Sequence, residues 1–271
     1  MNVNTNREAR SEKRERLSSI IPSVSPRFFA PDARTPGDLV RLSDEEADHT
    51  RVLRLEAGDL VRIFNGRGDE FESVVEAAAR DGVQLRVGLP SDPAPEPRLA
   101  VTLAQAVLKG DKMDDVVRDA VMIGVTTIQP IVTARTEIGA AALEKGRRRE
   151  RWERVAVSSA KQCGRAVVPP VREPISFESL TLTLQASWVT GPALLLVEPG
   201  AATNAVTLGE LDVEPPKTAT VVVGPEGGWT TDEIEEASAV CRLITLGGRT
   251  LRADAMGLVA LAALYARWGE F

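Results

Sequence analysis

The sequence predicts an α/β fold in which a mostly parallel sheet domain follows a small β-barrel. Three observations carry this. Between residues 59 and 88, short alternating runs are separated by glycine turns. Pro90, Pro93, Pro95 and Pro97 then crowd into one short stretch. Beyond them, apolar runs of strand length alternate with segments of helical period.

The elements follow in order. Residues 1–24 interleave Arg7, Arg10, Lys13, Arg14 and Arg16 with Glu8, Glu12 and Glu15, without an apolar period. They read as a flexible polar tail. Structure is expected to begin near Arg27-Phe28-Phe29, after Pro22 and Pro26. Leu60 to Phe64, Phe71 to Ala77 and Val83 to Val87 read as strands of a meander, turned at Asn65-Gly66-Arg67-Gly68 and Arg80-Asp81-Gly82. A barrel domain over 25–90, a semi-rigid linker over 91–97 and an α/β domain over 98–271 are the expected units.

In the second domain, strands are expected at Leu99 to Leu108, Val125 to Val132, Ala193 to Val197, Thr218 to Val223 and Leu243 to Leu246. Helices are expected at Asp111 to Ile123, Gly146 to Gly164, Thr230 to Cys241 and Arg252 to Trp268. Thr230 with Glu233 forms a capping-box signature.

Composition narrows the function. Two cysteines and one histidine are too few for a disulfide framework or a zinc cluster, so no metal is expected. No run of roughly 18 apolar residues occurs, and the N-terminus has no apolar signal core, which points to a cytoplasmic protein. A net charge of −6 argues against a nucleic-acid partner until its distribution is considered. Residues 144–165 hold eight basic side chains against three acidic ones, and residues 1–27 hold six against three. Such local excess suits an RNA-docking surface, although a solvated charged helix would read the same way.

Chemistry concentrates in two glycine-rich turns, each directly after a strand. One is Gly224-Pro225-Glu226-Gly227-Gly228 and the other Gly247-Gly248-Arg249. Ligands of open α/β sheets bind at the carboxyl ends of strands, so both turns lie where a cofactor belongs. Neither has the phosphate-loop or G-x-G-x-x-G spacing, which excludes the usual nucleotide signatures.

Val223 to Trp229 followed by Asp232-Glu233-Ile234, and Leu246 to Arg252 followed by a helix of small residues, resemble the signature segments of the RsmE family of RNA methyltransferases. Further matches are Pro26 to Phe29, His49 with Val52-Leu53-Arg54, Lys109 to Lys112, Gly124-Val125, and Gln162 to Arg165 followed by Val168-Pro169. They run in the family's order from about residue 26 to the end. The resemblance implies a PUA-like barrel followed by a SPOUT domain with a trefoil knot. It also implies S-adenosylmethionine as cofactor, 16S ribosomal RNA of the small subunit as substrate with N3 of a uridine as the methylated atom, and a homodimer. The implied cofactor positions are Leu196, Val197, Gly224, Pro225, Glu226, Gly227, Gly228, Leu246, Gly247, Arg249, Leu251, Arg252 and Ala253. The helix of residues 255–268 serves either as the dimer surface or as core of its own subunit.

Two departures stand out. Met122-Ile123 replaces the family's usual Glu-Leu, and Ala253-Asp254-Ala255 replaces Thr-Glu-Thr.

Uracil N3 carries an imide proton, so methylation requires its loss, stabilisation of charge on the flanking oxygens and in-line placement. Arg165, Arg249 and Arg252 are the candidates for contact with the uracil or its phosphate, since a guanidinium suits paired oxygens. Glu226 is either a proton acceptor or a carboxylate that fixes its loop. Arg27, Arg51, Arg54, Arg147, Arg148 and Arg151 are the candidate RNA contacts. Two alternatives stand beside this reading: a SPOUT methyltransferase acting on transfer RNA or a ribose hydroxyl, and a catalytically silent RNA-binding homologue.

Overall fold

The computed structural model describes residues 25–79, 82–139, 143, 147–186, 191–212 and 214–271. The expected tail over 1–24, Arg80-Asp81 of the second turn, and Glu144, Lys145 and Gly146 of the basic segment lie outside the described residues. The chain divides into two compact units. One runs through Asn65 and resumes at Glu70–Ser91, and the other comprises Gly66–Asp69 and Asp92–Phe271.

Among the described residues, the first unit is a five-stranded sheet with one helix. Strands β1 (Arg27–Phe29), β2 (Leu39–Arg41), β3 (Leu60–Phe64), β4 (Glu70–Ala79) and β5 (Gly82–Ser91) lie in the order β1-β3-β4-β5-β2. The meander β3–β4–β5 is antiparallel, and alternation buries Val61 and Ile63, Phe71 and Val75, and Val83, Leu85 and Val87 on one face. Helix α1 (Asp44–Val52) completes the unit, capped by Ser43. The sequence pattern predicts β3 to β5 but neither β2 nor α1. A three-residue strand has no period to detect, and the polar α1 buries Ala47 as its hydrophobic contribution to the core.

The second unit holds a seven-stranded sheet. Its strands are β6 (Ala100–Ala106), β7 (Thr127–Val132), β8 (Ile175–Ser176), β9 (Ala193–Leu196), β10 (Val206–Thr207), β11 (Thr218–Val223) and β12 (Arg242–Thr245), in the order β10-β12-β9-β11-β6-β7-β8. Every pairing is parallel. Helices α2 (Lys112–Ile123), α3 (Arg148–Cys163), α4 (Phe177–Ala186), α5 (Thr231–Ser238) and α6 (Ala253–Arg267) connect and cover it. The all-apolar β9 is buried along its whole length, as a strand covered on both faces must be. The last strand, β12, enters between β9 and β10, which precede it in the chain. Helix α4 went unassigned because Leu180-Thr181-Leu182-Thr183-Leu184 alternates like a strand.

Candidate active site

Because β12, β9 and β11 are parallel neighbours, the loops that follow them leave the sheet at one edge and meet there. They enclose a cavity of about 380 Å³. Its walls are Leu196 and Glu198 after β9, Val223 to Glu226 with Gly228 and Trp229 after β11, and Thr250 to Asp254 with Met256 after β12, together with Lys112 from the start of α2.

The loop 224–228 is fastened from several directions. The Trp229 indole N–H donates to the Leu196 carbonyl at 2.8 Å and fixes the ring against the loop's first residue. A Cβ at position 224 would stand 2.9 Å from that ring, so only glycine fits. The Gln105 amide, from β6, donates to the Gly224 carbonyl at 3.3 Å, and Arg135 donates to the Gly227 carbonyl at 2.7 Å. Glu226 accepts from the Lys112 ammonium at 2.8 Å and from the Lys109 backbone N–H at 3.2 Å.

The loop's exit is fixed by the expected capping box, in which Thr230 and Glu233 bond reciprocally. Glu233 also accepts from the Ala134 backbone N–H at 2.8 Å. Glu233→Ala removes three hydrogen bonds around a buried carboxylate. It is expected to destabilise the protein by about 1–2 kcal/mol, readable as a lowered midpoint in denaturant.

Burial pushes the Glu226 carboxyl up. The Lys112 ammonium and the backbone N–H groups of Glu226 itself and Lys109 outweigh that and hold it below the ordinary carboxylate value. The Arg252 guanidinium, bonded to Asp254 at 3.0 and 2.8 Å, likewise holds the Asp254 carboxyl low. The cavity wall therefore carries three carboxylates, Glu198, Glu226 and Asp254, against the two cations Lys112 and Arg252. Among the described residues no group of His, Cys, Asp or Glu side chains is placed to hold a metal ion.

Of the residues singled out from the sequence, Leu196, Gly224, Pro225, Glu226, Gly228, Leu251, Arg252 and Ala253 line this cavity. Others lie elsewhere. Val197 is buried in the core, and Gly227 turns its carbonyl to Arg135. Leu246 and Gly247 line a separate groove with Val259 and Ala263. Arg249 is exposed in the turn after β12, outside the cavity wall.

Arg165 stands apart from the cavity. It is 4% exposed, and its guanidinium is bonded to Glu96 at 3.0 and 2.5 Å and to the carbonyls of Val121 and Val125 at 2.7 and 3.1 Å. A side chain whose fork is committed to those partners ties the end of α2 and does not reach the cavity.

The candidate RNA contacts also divide. Arg27 is largely buried against Glu70 and lies over the Phe64 ring, Arg51 pairs with Asp48, and Arg151 pairs with Asp111 and Asp114. Arg54, Arg147 and Arg148 carry no ion pair among the described residues, and Arg54 and Arg147 are exposed. Three of these six arginines are thus already paired.

Sequence reasoning missed Lys112, Glu198, Val223, Trp229, Asp254 and Met256 as cavity residues. Lys112, Val223, Trp229 and Asp254 fell within quoted motifs. Glu198 needed the convergence of loops from three strands that are distant in sequence.

Residues 95–265 match the family described as RNA methyltransferase domain, and residues 42–88 match the RNA methyltransferase PUA domain. Ribosomal RNA small subunit methyltransferase E of Synechocystis is 33% identical over 219 residues, covering 80% of this chain and 69% of that protein. The protein of the same name from Mycobacterium bovis is 30% identical over 250 residues, covering 89% and 92%. The crystal structure of ribosomal RNA small subunit methyltransferase E from Neisseria gonorrhoeae, bound to S-adenosylmethionine, superposes with a TM-score of 0.80 at 30% identity, covering 90% of this chain and 98% of that one.

A PUA-like sheet joined to an interleaved parallel sheet of this order is the architecture of a SPOUT RNA methyltransferase. Within that class, the chain belongs to the ribosomal RNA small subunit methyltransferase E family, RsmE.

Proposed function

We propose that this protein transfers the methyl group of S-adenosylmethionine to N3 of a uridine in the 16S RNA of the small ribosomal subunit. The observation that carries the reading is the anionic, glycine-walled cavity where the loops after β12, β9 and β11 meet. Its volume of about 380 Å³ falls in the range of small-ligand sites, roughly 300–1,000 Å³. Leu196, Val223, Leu251 and Met256 offer apolar surface for a purine. The excess of one carboxylate suits a ligand with a sulfonium and an ammonium against a single carboxylate.

Leu196, Gly224, Pro225, Glu226, Gly228, Leu251, Arg252 and Ala253 are assigned to hold the cofactor, with Glu198 and Asp254 complementing its charge. When bound, the cofactor supplies an electrophilic methyl group. The chain's own task is to bring the uracil into line and to stabilise the charge that appears on its oxygens as N3 loses its proton. Arg252 suits the second task, being at the cavity wall and held in orientation by Asp254. Glu226 is assigned to fixing the loop. A carboxylate held low by Lys112 is a poor acceptor for an imide proton.

The choice of substrate follows the relatives, which are small-subunit ribosomal RNA methyltransferases by name. In this reading residues 25–90 contribute RNA binding, 91–97 connect, 98–271 carry the reaction, and the protein works on ribosomes in the cytoplasm. Arg54, Arg147, Arg148 and Arg249 are assigned to phosphates.

A homodimer is part of the proposal. Helix α6 leaves Leu258 and Val259 38% and 41% exposed on the helix that also bears Asp254. Leu258→Glu is expected to convert a dimer into a monomer in sedimentation equilibrium, and a wild-type monomer would refute the dimer.

Calorimetric titration tests the cofactor half. One S-adenosylmethionine is expected to bind per chain, and more tightly than S-adenosylhomocysteine, which lacks the sulfonium charge. No heat and no thermal stabilisation at millimolar cofactor would overturn it.

A further inference from the structure

Gln105 sits at the carboxyl end of β6, opposite Val223 in the parallel register with β11 and directly beneath the loop 224–228. It is fully buried. Its amide nitrogen donates to its neighbour's carbonyl, Ala106, at 3.1 Å and to the Gly224 carbonyl at 3.3 Å. Both partners are acceptors, which fixes the amide's orientation. The opposite orientation would set the side-chain oxygen against two carbonyl oxygens.

The consequence is that Oε1 has no hydrogen-bond partner among the described residues. It faces helix α6 at Gly257, where an added Cβ would lie 3.4 Å away. An unmatched buried acceptor is unfavourable for folding; an apolar side chain of similar shape would remove that penalty but would also leave the carbonyls of Ala106 and Gly224 without this donor. The amide thus fastens the first carbonyl of the cofactor loop while leaving its own oxygen unmatched, an arrangement that packing alone does not require.

We propose that Gln105 is a positioning residue for the cofactor site, setting the Gly224 carbonyl, and with it the path of the loop 224–228, from below. The placement supports the assignment from two directions. Gly224 begins the loop that forms one wall of the cavity, and Gly257 lies on the helix whose first turn forms another. Gln105 touches both, but does not line the cavity. The Trp229 ring fills the space where a Cβ at 224 would stand, so Gly224 is constrained by an indole as well as by the amide.

The inference rests on the cofactor reading given above. It also makes a prediction that a packing role would not. Gln105→Met and Gln105→Leu keep most of the volume and remove the unmatched oxygen. Both variants are expected to bind S-adenosylmethionine about tenfold more weakly by calorimetry. Their thermal midpoints, measured without cofactor, should stay within roughly 4 °C of the wild type, because removal of the unmatched oxygen offsets part of the two lost donor contacts. In steady state the KM for the cofactor should rise while the KM for RNA stays within about twofold.

Unchanged affinity in both variants overturns the proposal. So does a fall in thermal midpoint larger than that in both variants alongside the loss of affinity, since that is what a purely structural amide would produce. If the wild-type protein itself shows no binding, the cofactor reading fails first, and this inference with it. The wild-type titration therefore separates the two failures.

Discussion

Arg165→Met is expected to lower the stability of the protein by about 3 kcal/mol while leaving turnover by the folded enzyme nearly intact. The side chain is buried, and its planar fork serves four acceptor atoms: two oxygens of Glu96 and the carbonyls of Val121 and Val125. Val121 belongs to the last turn of α2 and Val125 lies just beyond it, where a cation also complements the helix dipole. Removing the guanidinium leaves a carboxylate and two carbonyls without their donor. Because the Glu96 side chain is 32% exposed, water recovers part of the loss, which places the effect at the low end of the range for a broken buried pair. In a domain of this size that corresponds to a melting point lowered by roughly 6–12 °C. A uracil-contacting arginine would do the reverse, holding the melting point and lowering kcat by a hundredfold or more. Thermal melting beside single-turnover kinetics at 25 °C distinguishes the two.

Gly224→Ala carries the second large effect, expected as a loss of cofactor affinity of at least about a hundredfold. The added methyl would stand 2.9 Å from the Trp229 ring. That ring cannot swing aside cheaply, because it is buried and its N–H is bonded to Leu196. The backbone at 224 must therefore move, and its carbonyl leaves the Gln105 amide as it does so. A shift of that kind in a wall of the cavity displaces the neighbouring backbone groups by a substantial fraction of an ångström. The destabilisation expected from one overpacked methyl is about 1–3 kcal/mol, small enough for the variant to fold and be titrated. Affinity within a few-fold of the wild type would mean that this loop does not shape the cofactor site.

The limits of the sequence reading follow from the physics of the elements. Strands β3, β4, β5, β9 and β11 were legible because burial on one or both faces imposes a period on the side chains. Helix α5 was legible because its capping box is local, although the observed helix ends three residues before the expected Cys241. Strands β8 and β10 are two residues long and are fixed by their parallel neighbours, which no local pattern announces. The placing of β12 between β9 and β10 is a property of the path that no local pattern announces, and the knot was implied by the resemblance alone.

The site shows the same division. Glycines 224 and 228 could be read from a strand followed by a turn, and the structure supplies the steric reason for both, namely the Trp229 ring and, at Gly228, a φ of +67°. Arginines could not be sorted by sequence. Arg165 and Arg252 look alike in the chain, yet one is committed to Glu96 and the other stands at the cavity wall beside Asp254. The basic run at 147–151 looked like a single RNA-binding surface, and ion pairs with Asp111, Asp114, Glu153 and Glu173 divide it. Gln105 offered no sequence signal, because its meaning lies in which carbonyl it reaches.

The central claim is the reaction, and methyl transfer to its substrate tests it most directly. Small ribosomal subunits from cells lacking this gene would be incubated with the purified protein and methyl-labelled S-adenosylmethionine, and the RNA digested for nucleoside mass spectrometry. The account predicts label in 3-methyluridine from 16S RNA, and none when the Arg252→Ala variant replaces the wild type. Label in any other nucleoside, or no label from a protein that binds the cofactor, would contradict it.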